Sequence, residues 1–373
     1  MNILVTGAAG FIGTNFVNYW RERYPADSIT VLDALTYAGN RSNLEAMLEH
    51  NGFTFVRGSI CDYDLVMEVM QKHCVDTLVH FAAESHVDRS IDGPDAFIET
   101  NVVGTHTLLK AAKKLWLDNG GGNGAGDGSA NKAGSARRGG HHFHHVSTDE
   151  VFGTLAGDDP AFCELTPYAP NSPYAASKAA SDHLVRAYHH TYGLNVTTSN
   201  CSNNYGPYQF PEKLIPLCLV NILQGKPLPI YGDGKQIRDW LYVDDHSRGI
   251  DLILKRGRVG ETYNIGGNSE YTNIDAVRLL CQLLDEEFSE NGSLRERFPD
   301  GPCAALDPAS SLINYVTDRP GHDTRYAIDA AKITSELGYT PAERFPGGLK
   351  KTVRWYLENE SWWQCILDGS YRE

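Results

Sequence analysis

Asn2-Ile-Leu-Val-Thr-Gly7-Ala-Ala-Gly10-Phe-Ile-Gly13 begins as a short apolar strand, turns through glycines and leads into a helical pattern that runs to about Glu22. Glycines let the chain turn tightly and bring its backbone close to a pyrophosphate, while the helix that follows presents free N–H groups and a partial positive charge. The spacing is GxxGxxG rather than GxGxxG, so the trio draws its weight from what comes next. A second strand, residues 28–32, delivers Asp33 twenty residues beyond Gly13. A carboxylate at that place accepts hydrogen bonds from an adenosine ribose diol and repels a 2′-phosphate, which favours NAD over NADP.

The alternation continues along the chain. Residues 54–58 and 76–81 read as the third and fourth strands, 143–147 and 194–199 as the next two, with helical segments between them. That pattern predicts an α/β fold, a doubly wound parallel sheet of Rossmann type, with the ligand at the carboxyl ends of the strands. Ala82-Ala83 falls at such an end, where small side chains let a cofactor approach the backbone. A helix over about 101–117 has apolar residues at 102, 103, 108, 109, 112 and 115, the pattern of a packed helix and a candidate subunit contact. Beyond about residue 200 the alternation loosens. Residues 1–199 are therefore assigned to an NAD-binding lobe and 200–373 mainly to a smaller, interleaved substrate lobe, with about 235–266 a candidate return to the first.

The chemistry concentrates in Ser147-Thr-Asp-Glu-Val-Phe-Gly153 and Tyr174-Ala-Ala-Ser-Lys178. The first stretch places two adjacent carboxylates, Asp149 and Glu150, at the end of an apolar strand. In the second, i, i+4 spacing puts Tyr174 and Lys178 on one helical face, where an ammonium lowers a phenol from its usual pKa of ~10. Tyr174 is thus a candidate general base, and four proton-handling groups together suit a reaction with more than one proton transfer.

Other features bound the possibilities. The 373 residues carry a formal net charge of −14, and no basic stripe offers itself to nucleic acid or an anionic membrane. No apolar run approaches the ~18 residues that a membrane span requires. The N-terminus enters a strand at once without an export signal, so a cytoplasmic protein is expected. The eight cysteines (61, 74, 163, 201, 218, 281, 303 and 365) are scattered and read as buried, reduced thiols. Residues 118–140 are Gly-rich and almost without apolar side chains, the composition of a flexible surface insertion. His141-His-Phe-His-His145 invites a metal reading. Rings at strand spacing alternate between faces and no Cys or carboxylate set completes a shell, so structural or surface histidines are expected and no metal. The run Asp285-Glu-Glu287 reads as a solvated helix face. Lys213, Arg238, Arg319 and His322, in or beside loops, are a candidate clamp for a diphosphate.

Asp33-Ala-Leu-Thr-Tyr-Ala-Gly-Asn40, Ala82-Ala-Glu-Ser-His-Val-Asp-Arg-Ser90, the two stretches above and Asp318-Arg-Pro-Gly-His322 together resemble the extended short-chain dehydrogenase/reductases, and among them the dTDP-glucose 4,6-dehydratases. The resemblance spans nearly the whole chain outside the insertion. It implies catalytic roles for Thr148, Asp149, Glu150, Tyr174 and Lys178. It also implies an NAD site lined by Gly7, Gly10, Phe11, Ile12, Gly13, Asp33, Ala34, Leu35, Thr36, Ser59, Ile60, Ala82, Ala83, Thr100 and Asn204 together with the Tyr/Lys pair. For the nucleotide sugar, dTDP-glucose, it implies Ser85, Thr148, Asn203, Lys213, Leu214, Pro229, Ile230, Tyr231, Arg238, Asn273, Asp318, Arg319 and His322. It further implies a homodimer paired through the helices near 101–117 and 174–192, and a place in the biosynthesis of deoxysugars such as rhamnose. Ser59 stands where the family generally has an acidic residue, and Phe152 where Tyr is commoner. A 4-epimerase or decarboxylase using the same Tyr/Lys pair is the alternative enzyme, and a non-catalytic NAD-binding scaffold the alternative of another class. Of these, only the dehydratase needs the Asp-Glu pair.

Overall fold

The computed structural model describes residues 1–118, 140–318 and 322–372. The expected insertion at 118–140 lies almost wholly outside the described residues, as does Arg319.

Seven strands form one parallel sheet: β1 (Asn2–Thr6), β2 (Ser28–Asp33), β3 (Phe53–Arg57), β4 (Thr77–His80), β5 (His142–Thr148), β6 (Val196–Cys201) and, further on, Thr262–Ile265. Their order across the sheet is β3, β2, β1, β4, β5 and β6, with Thr262–Ile265 at the far edge, every pair parallel. Such an order reverses between β1 and β4, and a doubly wound sheet opens its ligand crevice at that reversal. β1, β2 and β4 are largely apolar because helices cover both faces, and each Val, Leu or Ile so buried contributes about 1.5–3 kcal/mol.

Three further strands come before the edge strand in sequence: β7 (Asn203–Tyr205), β8 (Leu228–Tyr231) and β9 (Ile237–Tyr242), which makes the edge strand β10. After it follow β11 (Glu270–Thr272), β12 (Ile313–Val316) and β13 (Arg325–Tyr326). β9 is the hub of the second sheet, pairing with β11, β13 and β7, while β8 and β12 form a ribbon. Two apolar cores correspond to these sheets. One is built on β1, β2 and β10 and takes in Ile250, Ile253, Ile333 and Leu337 from the C-terminal half. The other joins the helices Leu214–Leu223, Asn273–Glu290 and Phe345–Glu358. The segment 243–265 therefore packs with the first sheet, whereas β9 belongs to the second.

Several expectations need correction. β6 begins two residues later than expected and continues through Asn200, whose amide donates to the Thr148 carbonyl at 3.0 Å, so a polar residue is accommodated in the strand. Of the two readings left open for the histidines, structural or surface, His142, His144 and His145 take the structural one, buried because β5 is a central strand covered on both faces. His142 and His144 both hydrogen-bond the Thr197 hydroxyl, at 2.7 and 2.9 Å. The run Asp285–Glu287 is half-buried: Asp285 accepts from the Ala309 N–H at 3.0 Å and Glu287 pairs with Arg354 at 2.8 Å. Arg238 sits inside β9 rather than in a loop. All eight cysteines are free thiols, but only Cys201, Cys218, Cys281 and Cys303 are buried.

Candidate active site

The glycine turn between β1 and the helix Phe11–Arg23 is fixed by contact. Gly7 has φ +72°, and a Cβ placed there would lie 2.6 Å from the Ala82 backbone, so only glycine permits β1 to pack so closely on the end of β4. The helix begins at Gly10 with no side-chain cap and no acid in its first turn, which leaves its N–H groups open to an anion. Asp33, at the carboxyl end of β2, takes the Ala9 N–H and the Leu35 N–H at 2.8 Å each. Burial pushes its carboxyl up while those two N–H groups pull it back. These groups fit the pyrophosphate and adenosine ribose of NAD: an open helix end, a turn without side chains, and a carboxylate oriented by the same turn.

At the end of β5 the chain makes a single 3₁₀ turn, Asp149–Phe152, with Thr148 accepting the Glu150 N–H at 3.3 Å. Gly153 follows at φ +92°, where a Cβ would meet the Ala169 carbonyl at 2.5 Å. Phe152 stacks on Phe162 and meets Tyr168 edge-on, a purely apolar role. The turn thus points Asp149 and Glu150 into the crevice. Opposite lies the helix Pro173–Tyr192, bounded as its sequence dictates: the Ser172 hydroxyl accepts the Ala175 N–H at 3.1 Å, Pro173 occupies the first turn, and left-handed Gly193 ends it.

One cavity of ≈ 370 Å³ is lined by both halves of the site. Thr148, Asp149, Glu150, Tyr174 and Lys178 share it with Gly7, Gly10, Phe11, Ile12, Gly13, Asp33, Ala34 and Thr36. Ser59, Ile60, Ala82, Ala83, Thr100 and Asn204 complete the cofactor side, and Ser85, Asn203 and Lys213 the other. Leu35 stands behind the wall, orienting Asp33. The remaining substrate candidates lie in the second lobe and off this cavity wall. Leu214 opens the helix after Lys213, Ile230 is buried in the second core, and Pro229 and Tyr231 flank it on β8. Asp318, His322 and Asn273 converge on Gln236: the Gln236 amide donates to Asp318 at 3.1 Å, His322 pairs with Asp318 at 2.7 Å, and Asn273 donates to Gln236 at 3.5 Å. Arg238 links the two groups, donating to the Asp323 carbonyl at 3.0 Å and acting through its charge on Asp149.

The electrostatics separate the two acids. Asp149 is buried, and burial, then Glu150 and Asp239, push its carboxyl well above the usual range against the pull of Arg238. That environment favours its protonated form, while Glu150 is only half-buried. Tyr174 departs from expectation: burial and the charges of Glu150 and Cys201 hold its phenol well above its ordinary value, against a hydrogen bond from Thr148. The Lys178 ammonium donates to the Val146 carbonyl at 2.8 Å. Acidifying Tyr174 thus takes more positive charge than this lysine alone brings.

Gln236, Tyr37, Cys201 and Asp239 escaped the sequence reading. Tyr37 lay inside a recognised stretch, and Asp239 carried a usable signal: a carboxylate within an apolar strand, here satisfied by the Gly267 and Ser269 N–H groups at 3.0 and 2.6 Å. Gln236 and Cys201 carried none.

A Rossmann-type sheet with a Tyr/Lys pair and a nucleotide-binding glycine turn facing one crevice defines an extended short-chain dehydrogenase/reductase. The sequence profile of the GDP-mannose 4,6 dehydratase family matches residues 4–352. A dTDP-glucose 4,6-dehydratase of Xanthomonas campestris is 56% identical over 99% of this chain and 97% of its own length, and dTDP-glucose 4,6-dehydratase 1 of Escherichia coli K12 is 49% identical over 100% and 97%. The chain belongs to the dTDP-glucose 4,6-dehydratase family. Among solved structures, the Bacillus anthracis dTDP-glucose 4,6-dehydratase in complex with NAD superposes with a TM-score of 0.81 at 44% identity, covering 98% of this chain and 99% of that one. The UDP-glucose 4-epimerase of Thermotoga maritima shares the fold more distantly, with a TM-score of 0.78 at 26% identity over 96% of this chain and 100% of that one.

Proposed function

We propose that the protein dehydrates dTDP-glucose to dTDP-4-keto-6-deoxyglucose with NAD that is regenerated in each cycle. When bound, NAD⁺ accepts the hydride of C4 and, once reduced, supplies the hydride that returns to C6. Tyr174, as the phenolate that the positive charges of Lys178 and a bound nicotinamide would together favour, takes the proton of the 4-hydroxyl, aligned by Thr148. The resulting 4-ketone acidifies the C5 proton, which Glu150 removes. Asp149, protonated where it lies, gives its proton to the 6-hydroxyl as water departs. Glu150 returns its proton to C5, and the proton gained at Tyr174 balances the one lost at Asp149. The observation that carries this reading is a buried Asp149, whose surroundings favour its protonated form, beside a less buried Glu150 in the cavity that also holds Tyr174 and the glycine turn.

The two lobes divide the work in this reading. Residues 1–199 hold NAD; Lys213, Arg238, Arg319 and His322 meet the diphosphate; Leu214, Pro229, Ile230, Tyr231, Asn273 and Asp318 meet the nucleoside. Two copies pair through the helices near 101–117 and 174–192, where Ile98, Val103 and Tyr192 are 50%, 41% and 48% exposed. The protein acts in the cytoplasm, supplying a keto-sugar for deoxysugars of the rhamnose type. Free thiols throughout and, among the described residues, no helix long and apolar enough to cross a membrane agree with that.

Incubation with dTDP-glucose and separately with UDP-glucose, followed by mass analysis, tests the reading. Loss of one water from dTDP-glucose and a product that absorbs strongly in alkali are expected; a product that keeps its 6-hydroxyl contradicts it.

A further inference from the structure

Behind the reacting groups lies a buried charge that the mechanism leaves unused. Tyr174, Lys178 and Asp182 follow one another at i, i+4 and i+8 on the helix Pro173–Tyr192, so all three face β5. Lys178 and Asp182 grip three consecutive residues of that strand. Asp182 accepts from His145 Nε2 at 3.0 Å, Lys178 donates to the Val146 carbonyl at 2.8 Å, and Asp182 accepts from the Ser147 hydroxyl at 2.8 Å. The Tyr168 hydroxyl adds another hydrogen bond to Asp182 at 2.9 Å.

Every one of those donors to Asp182 is neutral. Ser147 and Tyr168 are hydroxyls, and burial pushes the His145 imidazole down to about 4, so it carries no charge at neutral pH. Its Nδ1 has no hydrogen-bond partner, in keeping with a ring that keeps its one proton on Nε2. A buried carboxylate is costly unless an opposite charge lies close. The side chains that face Lys178 are Tyr174 and Asp182 on its own helix, His80 on β4, His145 on β5 and Cys201 on β6. Burial holds both histidines below their ordinary range and the Cys201 thiol up at about 12, and Asp182 is the one carboxylate among these side chains.

Building on the proposed roles of Tyr174 and Lys178, we propose that Asp182 is a positioning residue: its carboxylate is the fixed counter-charge that holds the Lys178 ammonium in place beside Tyr174. Burial drives Lys178 toward its neutral form, and Asp182 is the largest influence opposing it. Removing the carboxylate therefore lowers the pH at which Lys178 loses its proton. C4 oxidation then fails at high pH and persists at lower pH.

The oxidation half-reaction isolates this effect, because Asp149 takes no part in it. In a Glu150→Gln background, enzyme-bound NADH formed on mixing holoenzyme with dTDP-glucose is recorded from pH 6 to 10. Asp182→Asn is expected to lower the ratio of the rate at pH 9 to that at pH 7 by about tenfold, one pKa unit of loss, while Asp182→Glu restores the original profile. Tyr168→Phe, which removes a hydrogen bond and leaves the charge, is expected to keep the profile. Should Asp182→Asn fail to fold, Asp182→Asn/Tyr168→Phe removes the hydroxyl that the new amide would face and carries the same expectation. A uniform loss at every pH, or a Tyr168→Phe profile that moves as far as that of Asp182→Asn, overturns the proposal and leaves a packing role. Failure of the underlying assignment reads differently: Lys178→Met would then form NADH at the unaltered rate.

Discussion

At the scale of single residues, the account turns on two neighbouring acids in different surroundings, Asp149 buried and favoured in its protonated form and Glu150 half-buried. Glu150→Gln still allows the C4 oxidation but stops elimination, so bound NADH accumulates on adding substrate and turnover falls about 10²–10⁴-fold; absorbance of the holoenzyme near the reduced-nicotinamide band checks it, and normal turnover would remove Glu150 from its role. Asp149 makes a second, thermodynamic prediction. Its carboxyl is raised on folding, so the stability it contributes is present at acid pH and lost as pH rises through the folded value. Asp149→Asn should therefore lose turnover by a similar factor yet resist urea better than the parent, with the gain larger at pH 8 than at pH 5. The identities of both acids were legible in the sequence, because a strand followed by Thr-Asp-Glu fixes them locally. Which of them keeps its proton was not, since Asp239 and Arg238, which act on Asp149, come from a strand some ninety residues later.

At the scale of elements, local signals were read well and pairings across the chain poorly. The glycine turn and the capped helix Pro173–Tyr192 are written in adjacent residues, and both came out as expected. That the β5 histidines are structural rather than at the surface, and that Arg238 lies within a strand, had no local mark, because burial on both faces and membership of the second sheet depend on partners distant in sequence. The turn gives a sharp test. Gly7→Ala forces a Cβ against the Ala82 backbone at a positive φ, a strain on the order of 1–3 kcal/mol before the clash itself. The variant should purify without NAD and bind it at least tenfold more weakly by calorimetry, with the second lobe unaffected.

For the whole molecule, the proposed function draws most contacts to the sugar nucleotide from the second lobe and the chemistry from the first. Lys213 stands at their junction, on the cavity wall with its ammonium 3.3 Å from the Ser85 carbonyl. Loss of a charged hydrogen bond costs about 1.5–3 kcal/mol. Lys213→Met is thus expected to raise KM for dTDP-glucose about ten- to a hundredfold with kcat little changed, and a fall in kcat alone would place the lysine elsewhere. The changing rhythm of the chain after residue 200 marks where strands outside the first sheet begin. The interleaving was visible only in part: residues 261–265 announced a strand, but the packing of Ile333 and Leu337 on the first core is a tertiary fact with no local mark.

The most direct test follows one atom. Given dTDP-glucose labelled with deuterium at C4, the enzyme should release a keto-sugar that has lost one water and carries the deuterium on its C6 methyl group, with no net change in NAD. A product in which the label has washed into solvent, or has returned to C4 beside an intact 6-hydroxyl, would contradict the idea that a hydride taken from one carbon is given back to another.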